Sequence, residues 1–278
     1  MCLLSFEKMK PLILLLFYLL LRARGQMLGG QPSRPGQWKF AVQIHNLDCA
    51  GQLRTDCTCN GAIIGDRWVV TAGHCVRTNR RNKNVMVIAG DIAAKRFDPD
   101  HPLYNQQNNK HLHRVEVRPK EIIQHPFFDN EPRNYDVALI FLESQITVND
   151  HIEAASLPVP GQNPEIKAGD DCVVMGWGFS NMRGDTPVDI SYFLKHALLR
   201  VSEVQDRHIM FYGMRRDQAH LIVGDSGSPL FCGDIDDRGK LFGVLKGGKL
   251  AQNYARYMRL EKFRGWIHLT RRIHEPEL

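Results

Sequence analysis

The chain has 278 residues, of which 43% are hydrophobic and 24% are charged, and its formal net charge is +6. This composition is that of a globular protein with a substantial core, and it excludes disorder over the whole chain. The length permits one large all-β domain or two smaller domains.

The first 25 residues have the features of a cleaved secretory signal. Lys8 and Lys10 precede an uninterrupted apolar run over residues 12–21. A signal core needs about seven to fifteen apolar residues, whereas a membrane-spanning helix needs roughly twenty. The small residues Ala23 and Gly25 follow at a cleavage position. We therefore predict a signal peptide at 1–25 and a secreted or granule-stored domain at 26–278, without a stable membrane span. A signal anchor is the alternative.

The charge of the mature chain is modest. Residues 1–25 contain four basic side chains and one acidic side chain, so their removal lowers the net charge from +6 to about +3. A mildly basic chain does not indicate a nucleic-acid partner. The basic run within residues 77–84 is either a solvated loop or a site for an anionic polymer.

Six of the seven cysteines remain after Cys2 leaves with the signal. An even number in an exported chain indicates three disulfides. A zinc site built on Cys57 and Cys59 is the alternative, but no second cysteine pair follows at zinc-finger spacing. We therefore expect neither a metal nor a cofactor.

Short apolar runs, separated by Gly, Pro, Asn and Asp, recur along the mature chain and predict β-strands. Several are apolar throughout, as in strands buried inside barrels or sandwiches. Residues 261–273 predict an amphipathic closing helix with Phe263, Trp266 and Ile267 on one face. The fold class is therefore all-β with a C-terminal helix. The predicted strands include residues 40–44, 68–72, 85–89, 137–142, 172–175, 221–223 and 241–245.

Three segments carry residues suited to nucleophilic acyl transfer. Ser226 lies in Gly-Asp-Ser-Gly-Ser-Pro, where flanking glycines permit a tight turn and a close approach of substrate. His74 ends an apolar run, and Asp136 precedes one, so its carboxylate is a suitable partner for an imidazole N–H. Taken singly, each residue also has a plain structural reading, as a surface turn, a strand-end histidine and a strand-capping aspartate.

Together these segments resemble the signature segments of the trypsin-like serine proteases. They read Thr-Ala-Gly-His-Cys at 71–75, Asp-Val-Ala-Leu at 136–139 and Gly-Asp-Ser-Gly at 224–227. Their order of His, Asp and Ser is the chymotrypsin order. Leu-Gly-Gly at 28–30 resembles the mature N-terminus of the family. An esterase of the α/β-hydrolase class would need a different triad order and a Gly at position 228.

The resemblance implies two six-stranded antiparallel β-barrels with the active site between them. It implies that Ser226 attacks the peptide carbonyl, that His74 carries the proton, and that Asp136 orients His74. The N–H groups of Gly224 and Ser226 would form the oxyanion hole. The implied partners are a protein or peptide substrate, a processing peptidase that activates the zymogen, and protein inhibitors. A monomer is expected.

The resemblance also assigns disulfides by position. Two pairs match bridges of the family, and the two remaining cysteines form a third pair that is not usual there. The pairs are Cys59–Cys75, Cys172–Cys232 and Cys49–Cys57.

The chain departs from the family in its activation site and its substrate pocket. In the family, a new N-terminal ammonium pairs with the Asp before the nucleophile, which is Asp225 here. Because Gln26 precedes Met27, a trypsin-like cut does not release the matching N-terminus. Three possibilities remain for the N-terminus. Signal peptidase cuts after Gly25, or a processing peptidase removes a Gly-Gln dipeptide, or the chain is never activated. At the position where tryptic members carry an Asp at the base of the substrate pocket, this chain has His220. Cleavage after Lys or Arg is therefore not expected.

These features predict a secreted serine endopeptidase of non-tryptic specificity. The alternative is a catalytically weak or inactive protease homologue that binds a partner protein or an anionic polysaccharide. The alternative is motivated by the altered activation site and by further departures, among them Ser228 in place of a Gly and Lys246 in place of a Ser.

Overall fold

The computed structural model describes residues 30–47, 58–76, 84–94, 113–129, 134–161, 165–183, 186–213, 224–233, 239–249 and 253–275. These residues form two antiparallel sheets, a separate hairpin and one α-helix. The predicted all-β class with a C-terminal helix is thereby confirmed. The signal segment at 1–25 and the predicted strand at 221–223 lie outside the described residues.

The first sheet is built from the seven strands that follow β1 (Gln31–Pro32). They are β2 (Ala41–Asn46), β3 (Thr58–Gly65), β4 (Trp68–Thr71), β5 (Val85–Ala89), β6 (Val115–Val117), β7 (Pro119–Gln124) and β8 (Ala138–Leu142). Their order across the sheet is β6-β5-β2-β3-β4-β8-β7. Only Arg118 separates β6 from β7, yet these two strands occupy opposite edges of the sheet. One bent strand therefore closes this sheet into a six-stranded barrel.

The second sheet closes in the same way. The remaining strands are β9 (Asp171–Gly176), β10 (Phe179–Arg183), β11 (Thr186–Ile190), β12 (Lys195–Arg200), β13 (Glu203–Val204), β14 (His208–Tyr212), β15 (Pro229–Cys232), β16 (Lys240–Lys249) and β17 (Tyr254–Arg259). Strands β10 and β11 form the hairpin, and the sheet order is β1-β12-β9-β15-β16-β17-β14-β13. Strands β12 and β13 are nearly continuous and lie near opposite edges, so they close a second barrel to which β1 is added.

Each barrel encloses an apolar core. Val69 and Ile140 belong to the core of the first barrel, and Val174 and Phe211 to that of the second. A third cluster, which includes Trp177, contains residues from both barrels. Successive residues of β8 alternate between the first-barrel core and this shared cluster, and all five are buried. This double burial explains why the strand is apolar throughout rather than alternating.

The closing helix α1 (Arg264–His274) follows a 3₁₀ segment at Leu260–Phe263. The sequence pattern predicted one helix over 261–273, so the structure differs in making the first turn 3₁₀ and the rest α-helical. Ile267 and Thr270 are buried on its inner face. The Trp68 indole donates to Glu275 Oε2 at 2.8 Å, which ties the helix end to the first barrel. No helix within the described ranges combines the length and apolar character that crossing a membrane requires.

We predict that His208 makes the fold sensitive to acid. Burial, followed by the charge of Lys246 and of two arginines, lowers the pKa of His208 from 6.5 to about 4. The unfolded chain therefore binds the extra proton first, and stability is lost as the pH falls from about 6.5 towards 4. After allowance for solvent screening, we expect a loss of about 1–2 kcal/mol.

Denaturant unfolding across this pH range measures the effect. His208→Gln should flatten the acid slope, because glutamine does not titrate. The same substitution at the exposed His268 should leave the slope unchanged. An identical slope in the wild-type protein and in His208→Gln would contradict the prediction.

Candidate active site

His74 and Asp136 meet at one end of the first barrel. His74 lies in the 3₁₀ segment Gly73–Val76 that follows β4, and Asp136 lies just before β8, which pairs with β4. Asp136 is fully buried; its Oδ1 accepts the backbone N–H of His74 at 2.8 Å, and its Oδ2 lies 2.8 Å from Nδ1. With the proton on Nδ1, the ring donates to the carboxylate and leaves Nε2 as an acceptor.

The residues next to this pair, Tyr135 and Gly73, restrict the position of the Asp136 carboxylate. Tyr135 has a φ of +50°, which is uncommon for a residue with a side chain. Its hydroxyl accepts a hydrogen bond from Arg207 at 2.7 Å, and its ring stacks on His125 at a centroid distance of 5.0 Å. A Cβ on Gly73 would lie 3.2 Å from Asp136 Oδ1, so a larger residue there would press on the carboxylate.

Ser226 lies on a tight turn that leads into β15 of the second barrel. Gly224 and Gly227 have φ values of +90° and +77°, a region that favours glycine. A Cβ on Gly227 would lie 2.2 Å from the carbonyl oxygen of Asn60, so only glycine fits. Among the described residues, the N–H groups of Gly224 and Ser226 find no protein acceptor. These are the two groups that the resemblance assigns to the oxyanion hole.

Asn60, which the sequence reasoning missed, ties this turn to the first barrel. Its backbone N–H donates to the Ser226 carbonyl at 2.8 Å, and its Nδ2 donates to the Gly224 carbonyl at 2.9 Å. Its own carbonyl accepts the Thr71 hydroxyl at 2.7 Å. In the sequence, the available signal was an amide side chain directly before the run Gly-Ala-Ile-Ile at 61–64. In the structure, Asn60 is completely buried.

The structure therefore brings the three proposed triad residues to the junction of the barrels. His74 and Asp136 are in direct contact, and Asn60 holds the turn of Ser226 against their barrel. Within the described part of the chain, no hydrogen bond joins the Ser226 hydroxyl to His74. Such bonds are often loose before substrate binds. The proposed pocket base, His220, lies outside the described residues.

Two of the three implied disulfides are present, and both support the site. One links β3 to the 3₁₀ segment of His74, and the other joins the paired strands β9 and β15. The two bonds are Cys59–Cys75 and Cys172–Cys232. The third proposed pair, Cys49 and Cys57, lies outside the described residues.

The alternative zinc site is excluded at Cys59. Its sulfur is bonded to Cys75, so it is not the thiolate that zinc requires. The same bond accounts for the cluster of Cys59, His74 and Cys75, whose potential ligand atoms lie within 4.8 Å of one another.

A family model covers most of the chain. The model for trypsin matches residues 27–267. The chain belongs to the trypsin family of serine proteases, as the three motifs indicated.

Two human proteases are similar in sequence. The chain is 27% identical to human cathepsin G over 272 residues, which cover 95% of both proteins. It is 29% identical over 259 residues to human transmembrane protease serine 5, covering 88% of this chain. The chain spans about half of that second relative, 51% of its length.

Solved structures share the fold. Human heparin binding protein superposes with a TM-score of 0.66 at 22% identity, over 86% of this chain and 94% of that protein. A mutant of the same protein superposes with a TM-score of 0.67 at 23% identity, over 89% of this chain and 97% of the mutant.

We predict that Asn60→Ala destabilises the protein by about 1–3 kcal/mol, because it leaves the buried Gly224 carbonyl without its donor. Urea unfolding measures the loss. The backbone bond from residue 60 to Ser226 is kept in this variant, so the change isolates the side chain. A loss below about 0.5 kcal/mol, the range of ordinary surface substitutions, would contradict this role.

Proposed function

We propose that the chain is a secreted serine endopeptidase in which Ser226, His74 and Asp136 form the catalytic triad. The observation that carries the proposal is the contact of His74 with buried Asp136, next to a glycine-rich turn that carries Ser226. Membership of the trypsin family supports the reaction class. The similarity to cathepsin G extends over nearly the whole length of both chains, which supports a single protease domain.

The geometry suits acyl transfer. The Ser226 hydroxyl attacks the peptide carbonyl while His74 Nε2 takes its proton, and Asp136 stabilises the resulting imidazolium. The N–H groups of Gly224 and Ser226 donate to the oxygen that becomes negative. His74 then protonates the leaving amine, and water hydrolyses the acyl-enzyme through the same groups.

The proposal also covers where the protein is sent and which peptide bonds it cleaves. A signal at 1–25 would direct the chain to the outside of the cell or to a granule. By the family resemblance, His220 replaces the Asp that would bind a Lys or Arg side chain of the substrate, so we propose non-tryptic specificity. Protein inhibitors and a processing peptidase are the expected partners besides the substrate.

A fluorophosphonate probe tests the site. We expect it to label the purified mature protein, because a serine activated by a neighbouring base attacks phosphorus. Ser226→Ala should lose labelling completely, and His74→Ala should reduce it at least a hundredfold. Labelling is read by gel fluorescence and by mass spectrometry of the modified peptide.

The control is Ser156→Ala, which removes an exposed serine and should label as the wild type does. Peptidyl phosphonates extend the test to specificity: probes with Lys or Arg next to the phosphorus should react more slowly than apolar ones. Folded wild-type protein with a processed N-terminus that remains unlabelled would overturn the endopeptidase proposal.

A second candidate function is binding of an anionic polysaccharide. A groove of about 540 Å³ lies between α1 and the segment 154–159, and its cationic lining residues are Lys240, Arg264 and Arg271. No carboxylate occurs among the residues that line it in the described structure. Human heparin binding protein, which has the same fold, carries that ligand in its name.

Heparin-affinity chromatography tests this candidate. We expect elution above about 0.15 M salt, with a lower elution salt for Lys240→Gln combined with Arg264→Gln, because two cations leave the groove. The control, Lys167→Gln with Arg34→Gln, removes the same charge at exposed positions elsewhere. Equal elution of both double variants would count against the groove.

A further inference from the structure

A buried polar cluster surrounds the carboxylate of Asp225, the residue before the nucleophile. Asp225 is 1% exposed, and its Oδ1 accepts the N–H of Gly178 at 2.8 Å. A Cβ on Gly176 would lie 2.3 Å from this oxygen and 2.7 Å from Ser228 Oγ. The carboxylate therefore packs directly against the end of β9, with the Ser228 hydroxyl beside it.

Three polar atoms of this region are buried without a hydrogen-bond partner in the described part of the chain. They are the Nζ of Lys195, the Oγ of Ser228 and the hydroxyl of Tyr257. Burial, and then the charge of Asp225, raise the pKa of Tyr257 well above its usual range, so Tyr257 is a neutral phenol. Lys195 is therefore the cationic member of the cluster.

Strand geometry places Lys195 in the cluster. On β12 it aligns with Gly176 of β9, the residue on which the Asp225 carboxylate packs. Side chains alternate between the two faces of a strand. Lys195 therefore shares the inward face of β12 with Ala197 and Leu199, and it is only 6% exposed.

A buried ammonium group is costly unless an opposite charge lies near it. Burial lowers the pKa of Lys195 to about 8, and the charge of Asp225 opposes this fall. Lys195 is therefore mostly protonated at neutral pH. Among the described residues, Asp225 is the acidic group that acts on Lys195.

We propose that Lys195 is an internal counter-ion of Asp225 and a positioning residue for the turn that carries Ser226. The two charges compensate each other inside the second barrel, which keeps Asp225 in its buried position. In the family, a newly cut N-terminus provides this positive charge. Lys195 provides it from within the chain, whichever residue begins the mature protein. The effect on Ser226 reactivity rests on the proposed protease function, whereas the pairing itself does not.

A double-mutant cycle on stability tests the pairing. The variants are Lys195→Met, Asp225→Asn and their combination in the mature chain, unfolded with urea at pH 7. Each single change leaves one buried charge without its partner, whereas the double variant leaves neither, so we expect the unfolding constant of the double variant to lie at least tenfold below the additive value. The control cycle replaces Lys195→Met by Lys167→Met at an exposed lysine and should show less than twofold coupling. Coupling below twofold in the Lys195 cycle would overturn the pairing.

A second measurement requires no change at Lys195. The Cε carbon of Lys195 is followed by NMR through a pH titration of the wild-type protein and of Asp225→Asn. Loss of the carboxylate charge should reduce the proton affinity of Lys195 at least tenfold. An unchanged titration would overturn the pairing even if Lys195→Met failed to fold.

Probe labelling tests the positioning role. The mature chain is prepared with a short N-terminal extension, so that no free ammonium is present at Met27. We expect this protein to label at Ser226, Lys195→Met to label at least tenfold more slowly, and Lys195→Arg to recover part of the rate. Equal rates for Lys195→Met and the wild type would overturn the positioning role. Labelling of the processed wild type without labelling of the extended wild type would likewise overturn the positioning role. Absence of labelling in the processed wild type as well, together with strong coupling in the stability cycle, would overturn the protease function and leave the pairing supported.

Discussion

The attachment of the Ser226 turn to the first barrel is the constraint on which the site depends. His74 and Asp136 belong to the first barrel, whereas Ser226 precedes a strand of the second. In the proposed mechanism, a displacement of about 1 Å between the barrels would separate Ser226 from His74 and would cost much of the rate. Asn60 prevents this displacement by bonding the carbonyls on both sides of Asp225, with its backbone at Ser226 and its side chain at Gly224.

The second barrel also holds this turn, through the charged side chain of Asp225. The Asp225 side chain points into the second barrel, where it packs against Gly176 and accepts the N–H of Gly178. The backbone of the turn is therefore held by the first barrel and its side chain by the second. Ser226 stands between these two attachments. This arrangement explains why a charge partner such as Lys195, which does not touch the substrate, bears on reactivity: its loss frees one of the two attachments.

The short motifs were enough to propose the triad residues, because each proposed role depends on a few adjacent residues such as Gly73 beside His74. The all-β class was predictable from the apolar runs. The closure of each barrel was not, because it depends on a bent strand, such as the one interrupted at Arg118, whose two halves form opposite edges of the same sheet. Asn60 was missed because its side-chain partner, Gly224, lies 164 residues away. Lys195 was missed because its inward orientation follows only once the register of β12 is known.

The departures from the family are concentrated in the second barrel. The contact of His74 with Asp136, on the first barrel, has the arrangement that the family motifs imply. The second barrel instead carries two buried lysines, Lys195 and Lys246, at 6% and 9% exposure. Buried cations reduce stability unless a fixed partner compensates them, so a chain that retains them is constrained to retain their partners too. For Lys195 that partner is Asp225, which is already required beside the nucleophile. In the proposed pairing, a single carboxylate serves both needs, and the positive charge beside the Ser226 turn does not depend on how the N-terminus is produced.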